Sequence, residues 1–509
     1  MTENDERLIP VLIGVGQVND RAVSGAAGVD SLGLMIAAAR KAAADAGDGV
    51  LSRTDWLGVV SQISFPDLSG KLVDRLSAAL QIQPRYAHET PLPTGDSPVL
   101  LINQAANAIG RGEAQVALIA GGEALRTASK RAAEAAALAG QRAAQGGPLP
   151  RRKLHVIETR HRYGLRTPTE VYPLFENAGR AAYGQSLAEG QAETGLIWSL
   201  FSKIAAVNEA AWLRQTRTPE QIVEPSADNR PLAFPYNKLM VANASVNQGA
   251  AVIVTSLAIA KTTGIPETQI IYIGKGAAAH EDENPLLRPD FATSASMKIS
   301  LEAALQANDL SVGQIDHIEL YSCFPCVPKM ARRIIGWPLE KPATVFGGLT
   351  FGGGPIGNYM THAAACMALK LRRSGKNGLL FANGGFATHN HTILLTRTPQ
   401  PAGTFPQSFD FQSAADAIRG DEPAFHENFE GIATIETYTV IYDRHGSVRL
   451  GVVVGRAAAG QRVIARVPAE DTATITFLTS GAAEPVGTRG QILREGEMNR
   501  WAALPAAAV

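Results

Sequence analysis

Short apolar runs recur along the chain, and each is shorter than a buried helix of ordinary length. They lie at 9–16, 57–63, 116–122, 251–257, 270–276, 317–323 and 379–385. Alanine-rich segments with apolar residues at helical spacing separate them, at 31–46, 99–111, 294–307 and 357–373. Near-continuous apolar strands that alternate with helices are typical of a sheet that is buried on both faces. The pattern predicts an α/β fold.

Two parts of this pattern resemble each other. A helix at 32–47 precedes a strand at 57–60, as a helix at 297–311 precedes a strand at 317–321. In both parts an alanine-rich helix and another apolar strand follow. We interpret the two parts as duplicated halves, and an active site is expected where such α/β halves meet.

Two regions interrupt the alternation. Residues from about 125 to 235 hold few strand signals and several amphipathic helices, which indicates an inserted helical cap. A Pro/Gly-rich linker at 398–408 precedes segments that alternate with a period near two. The predicted domains are an N-terminal half at 1–258 that includes the cap, a C-terminal half at 259–397, the linker, and a small, mostly β domain at 409–509.

The amino-acid composition limits which binding partners and which cellular compartment are expected. Lys plus Arg and Asp plus Glu both total 47, so a net charge of zero gives no indication of nucleic acid or an anionic membrane as a partner. Three cysteines in 509 residues are too few for a disulfide framework and favour a reducing compartment. The acidic, polar start lacks the features of a signal peptide, and no apolar run reaches the length of a membrane span. We therefore expect a cytoplasmic protein without a membrane span.

Four motifs in order carry a resemblance to a known family. They are the segments at 9–17, 102–124, 317–324 and 347–358. Together they resemble thiolases, in particular the sterol-carrier-protein type and the bacterial thiolase-like proteins, over about residues 8–397. The β-rich tail resembles the extra C-terminal domain of thiolase-like protein type 1. The resemblance implies a thiolase fold of two duplicated βαβαβαββ halves with a helical cap, followed by a small OB-like domain.

The first family motif places the nucleophilic cysteine at the start of a helix. A helix N-terminus lowers the pKa of a thiol and presents backbone N–H groups. In this chain the position is Gly95, within the segment PTGDSP. Glycine has no side chain that could attack, so a covalent acyl-enzyme would need Asp96 or Ser97 as a substitute. The backbone N–H of Gly95 could still serve an oxyanion hole.

The second motif reads Tyr321-Ser322-Cys323-Phe324, where sterol-carrier-type thiolases have His-Asp-Cys-Phe. The resemblance gives Cys323 the position of the acid/base cysteine and Tyr321 that of an oxyanion-hole donor. A tyrosine here also resembles thiolase-related aldolases of steroid side-chain degradation, in which a phenol transfers the proton. The alternative interpretations are a core aromatic residue for Tyr321 and a small buried apolar residue for Cys323.

The third and fourth motifs also depart from the family. Gly-His-Pro becomes Gly353-Gly354-Pro355, so the histidine is absent and Gly354 could contribute only its backbone. Cys-x-Gly-Gly becomes Ala382-Asn383-Gly384-Gly385, and Gly385 is likewise a candidate backbone donor. His389 and His391 follow and are candidate general bases, because histidine titrates near neutral pH. The alternative is that they are surface histidines.

Two other sequence patterns give only weak support for a zinc site and for a dinucleotide site. Cys323 and Cys326 form a C-x-x-C, but zinc needs four ligands and no second pair lies nearby. Gly14 and Gly16 lack the third glycine of a dinucleotide fingerprint. We expect no metal and no permanently bound cofactor, with a coenzyme A thioester as the substrate.

The resemblance implies an acyl-CoA enzyme of lipid metabolism that makes or breaks a C–C bond next to a thioester. An acyltransferase similar to acetyl-CoA acetyltransferase is the first hypothesis. The alternatives are a retro-aldolase and a non-catalytic binder of acyl-CoA or lipid. The appended β domain could recruit the substrate or a partner. The resemblance also implies a homodimer, since thiolases are usually dimers.

Overall fold

The computed structural model describes residues 3–21, 28–139 and 154–504. The strands are β1 (Pro10–Asn19), β2 (Trp56–Val60), β3 (Tyr86–Glu89), β4 (Val116–Glu123), β5 (Pro231–Ala233), β6 (Tyr236–Asn237), β7 (Gln248–Ser256), β8 (Ile271–His280), β9 (His317–Leu320), β10 (Asn377–Gly384), β11 (His389–Thr396), β12 (Gly431–Tyr442), β13 (Val448–Ala457), β14 (Arg462–Pro468), β15 (Arg489–Glu495) and β16 (Met498–Ala503). The helices are α1 (Glu3–Glu6), α2 (Ser31–Ala46), α3 (Leu72–Leu80), α4 (Ser97–Gly110), α5 (Leu125–Ala139), α6 (Leu154–Arg162), α7 (Pro168–Ala182), α8 (Leu187–Val207), α9 (Pro219–Val223), α10 (Leu257–Thr262), α11 (Ala295–Ala307), α12 (Cys326–Ile335), α13 (Tyr359–Arg373), α14 (Gln412–Ile418) and α15 (Thr472–Thr479).

The larger sheet has nine strands in the order β3-β2-β4-β7-β1-β8-β11-β10-β9. Its two sides repeat one pairing scheme outward from the β1–β8 contact. On one side, β1 is antiparallel to β7, β7 is antiparallel to β4, and β4 is parallel to β2. On the other side, β8 is antiparallel to β11, β11 is antiparallel to β10, and β10 is parallel to β9. The repeated scheme agrees with the predicted α/β fold of duplicated halves.

Helices α4 and α13 occupy the centre of this arrangement. They contact each other, and each also contacts strands of both halves of the sheet. Both are buried along most of their length, which explains why their sequences are rich in alanine and other apolar residues rather than amphipathic. Helix α2 instead covers the outer face of β1, β4 and β7. The turn that leads into α4 therefore opens at the junction of the two halves.

The C-terminal region forms a closed five-stranded barrel. Strands β12, β13, β14, β16 and β15 pair in this order, and β15 pairs again with β12. Helix α15 follows the third barrel strand. A closed five-stranded barrel is the architecture of the predicted OB-like domain, and closure leaves no free sheet edge.

The barrel packs on the cap helix α7. Thr437 Oγ1 donates a hydrogen bond to the Leu174 carbonyl at 2.5 Å, and Asn177 Nδ2 donates to the Tyr438 carbonyl at 2.9 Å. The short strand β5 also extends the barrel sheet through Ala233, which pairs with a residue of β12. Three residues are too few to show an alternating pattern, so this strand could not be predicted from the sequence. Among the described helices, none is long and apolar enough to span a membrane.

Candidate active site

Gly95 lies buried at the end of the turn that leads into α4. A Cβ atom added to it would lie within 3.0 Å of both the Tyr321 hydroxyl oxygen and the Asn383 carbonyl oxygen, a separation that real Cβ atoms essentially never show. The Tyr321 hydroxyl therefore occupies the space that a side chain at position 95 would need. Gly95 of the first catalytic motif and Tyr321 of the second therefore lie against each other, although 226 positions of sequence separate them.

Tyr321 follows the last residue of β9. Its N–H donates to the Phe381 carbonyl at 3.1 Å, and its ring meets the Tyr359 ring edge-on at a centroid distance of 5.6 Å. Burial raises the pKa of the Tyr321 phenol well above its ordinary value, and the neighbouring Cys323 and Asp96 raise it further. Tyr321 is therefore a protonated phenol at neutral pH, which suits a hydrogen-bond or proton donor.

Cys323 is a buried free thiol two residues beyond Tyr321. Burial raises its pKa to about 12, although a hydrogen bond with Tyr172 and nearby backbone N–H groups favour the thiolate. Burial also raises the pKa of the Cys326 thiol, which is free as well. Because the nucleophile is the thiolate, neither cysteine is activated for attack in this arrangement. The described residues hold no group of three or more His, Cys, Asp or Glu side chains that could bind a metal.

Tyr172 is a site residue that the sequence analysis missed. Its hydroxyl donates to the Gly385 carbonyl at 3.0 Å and accepts the N–H of Ala387 at 2.9 Å. Its ring stacks on Phe324 at a centroid distance of 4.4 Å. Tyr172 thus fixes the turn after β10 against the Tyr321–Cys323 segment. It comes from the cap helix α7, and nothing in its local sequence distinguishes it from a core aromatic.

Helix α7 begins with a capping box that sets the position of Tyr172. The Glu170 carboxylate accepts hydrogen bonds from the backbone N–H of Thr167 at 2.6 Å and from its hydroxyl at 2.5 Å. Such caps satisfy N–H groups that have no partner within the helix. The start of the helix, one and a half turns before Tyr172, is therefore fixed.

The three candidate backbone donors differ in their surroundings. The N–H of Gly354 donates to the Asn243 carbonyl at 2.9 Å, so it is already engaged. Gly385 is solvent-exposed at a φ of +65°, and its carbonyl is bonded to Tyr172. Gly95 lies against Gly384, since a Cβ on Gly384 would be 3.1 Å from the Gly95 nitrogen. The structure brings Gly95, but not Gly354, into contact with Tyr321.

The two candidate histidines occupy different environments. His391 is buried, with Nε2 at 2.6 Å from Asn103 Nδ2 and its ring stacked on Phe409. Burial lowers the pKa of His391 to about 4, against an opposing effect of Asp96, so the ring is neutral at pH 7. His389 is half-buried and lies beside Gly385, at the outer end of β11. Only His391 lies on the side of the site where Asp96 interacts with Tyr321.

Asp96 carries an unusual buried oxygen. Its Oδ1 has no hydrogen-bond partner in the described part of the chain and lies near Gly384. The carboxyl group interacts electrostatically with both Tyr321 and His391. An unsatisfied buried acceptor costs free energy and is uncommon unless a ligand or water completes it. Asp96 therefore offers a hydrogen-bond acceptor that the described residues leave open at this site.

Glu319 lies fully buried on β9, two residues before Tyr321. It accepts hydrogen bonds from the hydroxyl of Tyr359 at 2.6 Å, from the Thr344 hydroxyl at 2.8 Å, and from the N–H groups of Val345 and Phe346. Burial nevertheless raises its pKa from 4.5 to about 7, since these donors offset the desolvation only in part. The network holds the Tyr359 ring against Tyr321.

We expect Glu319 to make the folded protein less stable as pH rises from about 4.5 to 7. Its pKa is raised in the folded state, so its contribution to stability is intact below the unfolded value and is lost as the pH rises through that window. The loss is about 3 kcal/mol in the free energy of unfolding. Urea titrations at several pH values should show a smaller decline for Glu319→Gln than for the wild type. Equal declines in the two proteins would show that Glu319 does not titrate in this window.

Comparisons with known proteins bear on the fold and on the C-terminal domain. Residues 410–497 match the family model described as the thiolase-like protein type 1 additional C-terminal domain. A monomeric SCP2-thiolase-like protein type 1 from Mycobacterium smegmatis is 26% identical, with a TM-score of 0.81 over 98% of this chain and 100% of that one. A search of curated proteins found no match.

Two further solved structures share the fold over the thiolase halves. An aldolase described as Ltp2-ChsH2(DUF35) is 19% identical, with a TM-score of 0.60 over 77% of this chain and 99% of that one. Human mitochondrial 3-ketoacyl-CoA thiolase in complex with CoA is 17% identical, with a TM-score of 0.56 over 77% and 99% of the two chains. The chain therefore has the thiolase fold and carries the additional C-terminal domain of thiolase-like protein type 1.

Proposed function

We propose that this protein is an enzyme that breaks or makes a C–C bond next to an acyl-CoA thioester without forming a covalent acyl-enzyme. One observation carries the proposal, namely that the Tyr321 hydroxyl fills the space of a side chain at Gly95. The phenol of Tyr321 thus occupies the place that the resemblance to thiolases gives to the side chain of the nucleophile. The CoA-bound human thiolase supports a CoA thioester as the ligand of this scaffold.

The site residues match the needs of a thioester enolate. The Tyr321 hydroxyl and the Gly95 N–H donate hydrogen bonds to the thioester oxygen, where negative charge develops. In the cleavage direction Asp96 takes the proton of a 3-hydroxyl group. The electron pair of the C–C bond passes into the enolate, and a carbonyl compound leaves. The Cys323 thiol then protonates the α-carbon and regains its proton from Asp96 through Tyr321.

Retro-aldol cleavage is the form of this reaction that the site favours. Thiolytic acyl transfer needs an activated nucleophile, whereas Gly95 has no side chain and burial raises the pKa of Cys323 to about 12. The aldolase complex among the structural neighbours supports the same reading. Acetyltransferase activity, the first hypothesis from the sequence, would require direct transfer between two thioesters. A homodimer and a cytoplasmic location remain predictions.

The proposal is tested by incubating the purified protein with 3-hydroxyacyl-CoA esters and, separately, with 3-oxoacyl-CoA esters plus free CoA. We expect the hydroxy esters to release acetyl-CoA and a carbonyl compound, while the intact protein keeps its mass throughout. Release of acetyl-CoA from the oxo esters together with an acyl adduct on Cys323 would instead establish covalent thiolysis. Binding of both ester classes without any product would identify a non-catalytic acyl-CoA binder.

The barrel is proposed to help bind the substrate or a partner, but its deletion would be a poor test. The barrel covers α7, which carries Tyr172, and it pairs with β5 through Ala233. Removing residues 409–509 would therefore expose the helix that fixes the site. Point substitutions on the barrel surface separate recruitment from folding more cleanly.

A further inference from the structure

Arg160, at the end of α6, is a buried arginine without a bonded carboxylate. Its exposed fraction is 5%, and its Nε has no hydrogen-bond partner in the part of the chain that the structure describes. Its Nη1 donates to the Leu165 carbonyl at 2.6 Å. Glu170, the acid that interacts with it, has its carboxylate engaged in the capping box at Thr167. Burial lowers the pKa of Arg160 to about 10, so it remains charged at neutral pH.

Two other buried arginines of the described chain have a carboxylate partner. Arg180 binds Glu484 at 2.5 Å, and Arg462 binds Glu436 at 2.5 Å. Burying a guanidinium without such a partner costs several kcal/mol. A buried, unpaired guanidinium is consistent with a bound ligand that supplies the missing negative charge.

Arg160 lies at the turn that borders the candidate active site. Its guanidinium stacks over the Phe386 ring at 4.7 Å from the centroid, next to the exposed Gly385. At the same turn, Arg288 is also buried and donates to Thr388 Oγ1 at 3.0 Å. Arg288 also donates to the Asp282 backbone carbonyl, and the carboxylates of Glu281 and Asp282 attract it electrostatically. Two buried cations therefore contact this turn.

The turn is also close to the reacting groups. Phe386 follows Asn383 by three residues, which limits the separation of their Cα atoms to about 11 Å. The Asn383 carbonyl in turn lies against Gly95 and Tyr321. The turn that Arg160 contacts through Phe386 is therefore continuous in the chain with the residue that lies against Gly95 and Tyr321.

We propose that Arg160 is the receptor for an anionic group of the substrate, either a carboxylate on the acyl chain or a phosphate of CoA. This inference rests on the proposed function, since it assigns a subsite next to the same reaction centre. The planar guanidinium suits both oxyanions, because its N–H groups match their geometry in pairs. The Phe386 ring holds the guanidinium in place through a cation–π contact.

The test compares wild type with Arg160→Gln in calorimetric titrations of succinyl-CoA, butyryl-CoA and S-butyryl-pantetheine. The matched control is Arg162→Gln, which removes the same charge from the same helix. Arg162 is exposed, and its ion pair is with Glu427 rather than with the turn. Loss of a charge-assisted bond is expected to weaken binding about tenfold to a hundredfold in Arg160→Gln and to leave Arg162→Gln unchanged.

The pattern of losses identifies the anion. A loss confined to succinyl-CoA assigns a carboxylate, and an equal loss for both CoA esters that spares the pantetheine ester assigns a phosphate. Equal weakening of all three ligands, or no weakening, would overturn the proposal. If the wild type binds no CoA ester, the proposed function fails. Titration with succinate and with inorganic diphosphate then decides the role of Arg160: binding that disappears in Arg160→Gln supports it, and no binding overturns it.

Discussion

Replacing Tyr321 with phenylalanine is expected to lower kcat for C–C cleavage about a hundredfold or more and to leave KM nearly unchanged. Phenylalanine keeps the ring that meets Tyr359 and fills the space beside Gly95. Only the O–H that we propose donates to the developing enolate oxygen is lost. Because that bond strengthens in the transition state, its loss appears in kcat rather than in KM. Steady-state release of acetyl-CoA measures the effect.

Tyr359→Phe is the matched control for this substitution. The Tyr359 hydroxyl donates its hydrogen bond to Glu319, and the proposed mechanism gives it no part in the reaction. Its removal should lower the melting temperature through the lost buried hydrogen bond, with a small effect on kcat. If Tyr321→Phe retained more than half of the wild-type kcat, Tyr321 would be a packing residue and the proposed chemistry would be wrong.

Restoring the family cysteine with Gly95→Cys is expected to destabilise the fold rather than to restore a thiolase. The new Cβ would clash with the Tyr321 hydroxyl and with the Asn383 carbonyl, which belongs to the backbone. Overpacking of this kind costs about 3 kcal/mol in the free energy of unfolding. Chemical denaturation measures the loss. Gly354→Ala is the control, because a Cβ at Gly354 would find its nearest neighbours at 3.3–3.4 Å.

A second substitution tests the cause of this destabilisation. Tyr321→Ala removes two of the three atoms, the hydroxyl oxygen and Cζ, with which the Cβ of the cysteine would clash. The double variant should therefore be more stable than the sum of the two single effects by about 1 kcal/mol or more. Additive effects would show that the phenol does not occupy the space of the side chain at position 95.

The fold could be predicted largely from periodicity, since burial on both sheet faces produces apolar runs and repeated halves produce repeated patterns. The site residues could be predicted only where they lie close together in the sequence. Tyr321 and Cys323 share one short segment, and both lie at the candidate site. Tyr172 could not be predicted, because it reaches the turn after β10 from a cap helix whose position depends on tertiary packing.

The two histidines show the same limit. His389 and His391 are two residues apart on β11, so their side chains point to the same face of the strand. The sequence alone does not distinguish the two histidines, but β11 passes from the outer end of the sheet into the core between them. His391 meets Asn103 and Phe409, whereas His389 lies at the outer end. The engaged N–H of Gly354 was equally hidden, because its acceptor, the Asn243 carbonyl, belongs to a distant segment.

We propose that the chemistry has moved from a side chain at position 95 to the phenol of Tyr321. A crystal structure of the complex with a slowly reacting 3-hydroxyacyl-CoA analogue tests it most directly. We predict that the thioester oxygen lies within hydrogen-bonding distance of the Tyr321 hydroxyl and that no bond joins the acyl group to the protein. An acyl carbon bonded to Cys323 Sγ, or a thioester bound away from Tyr321, would contradict the account.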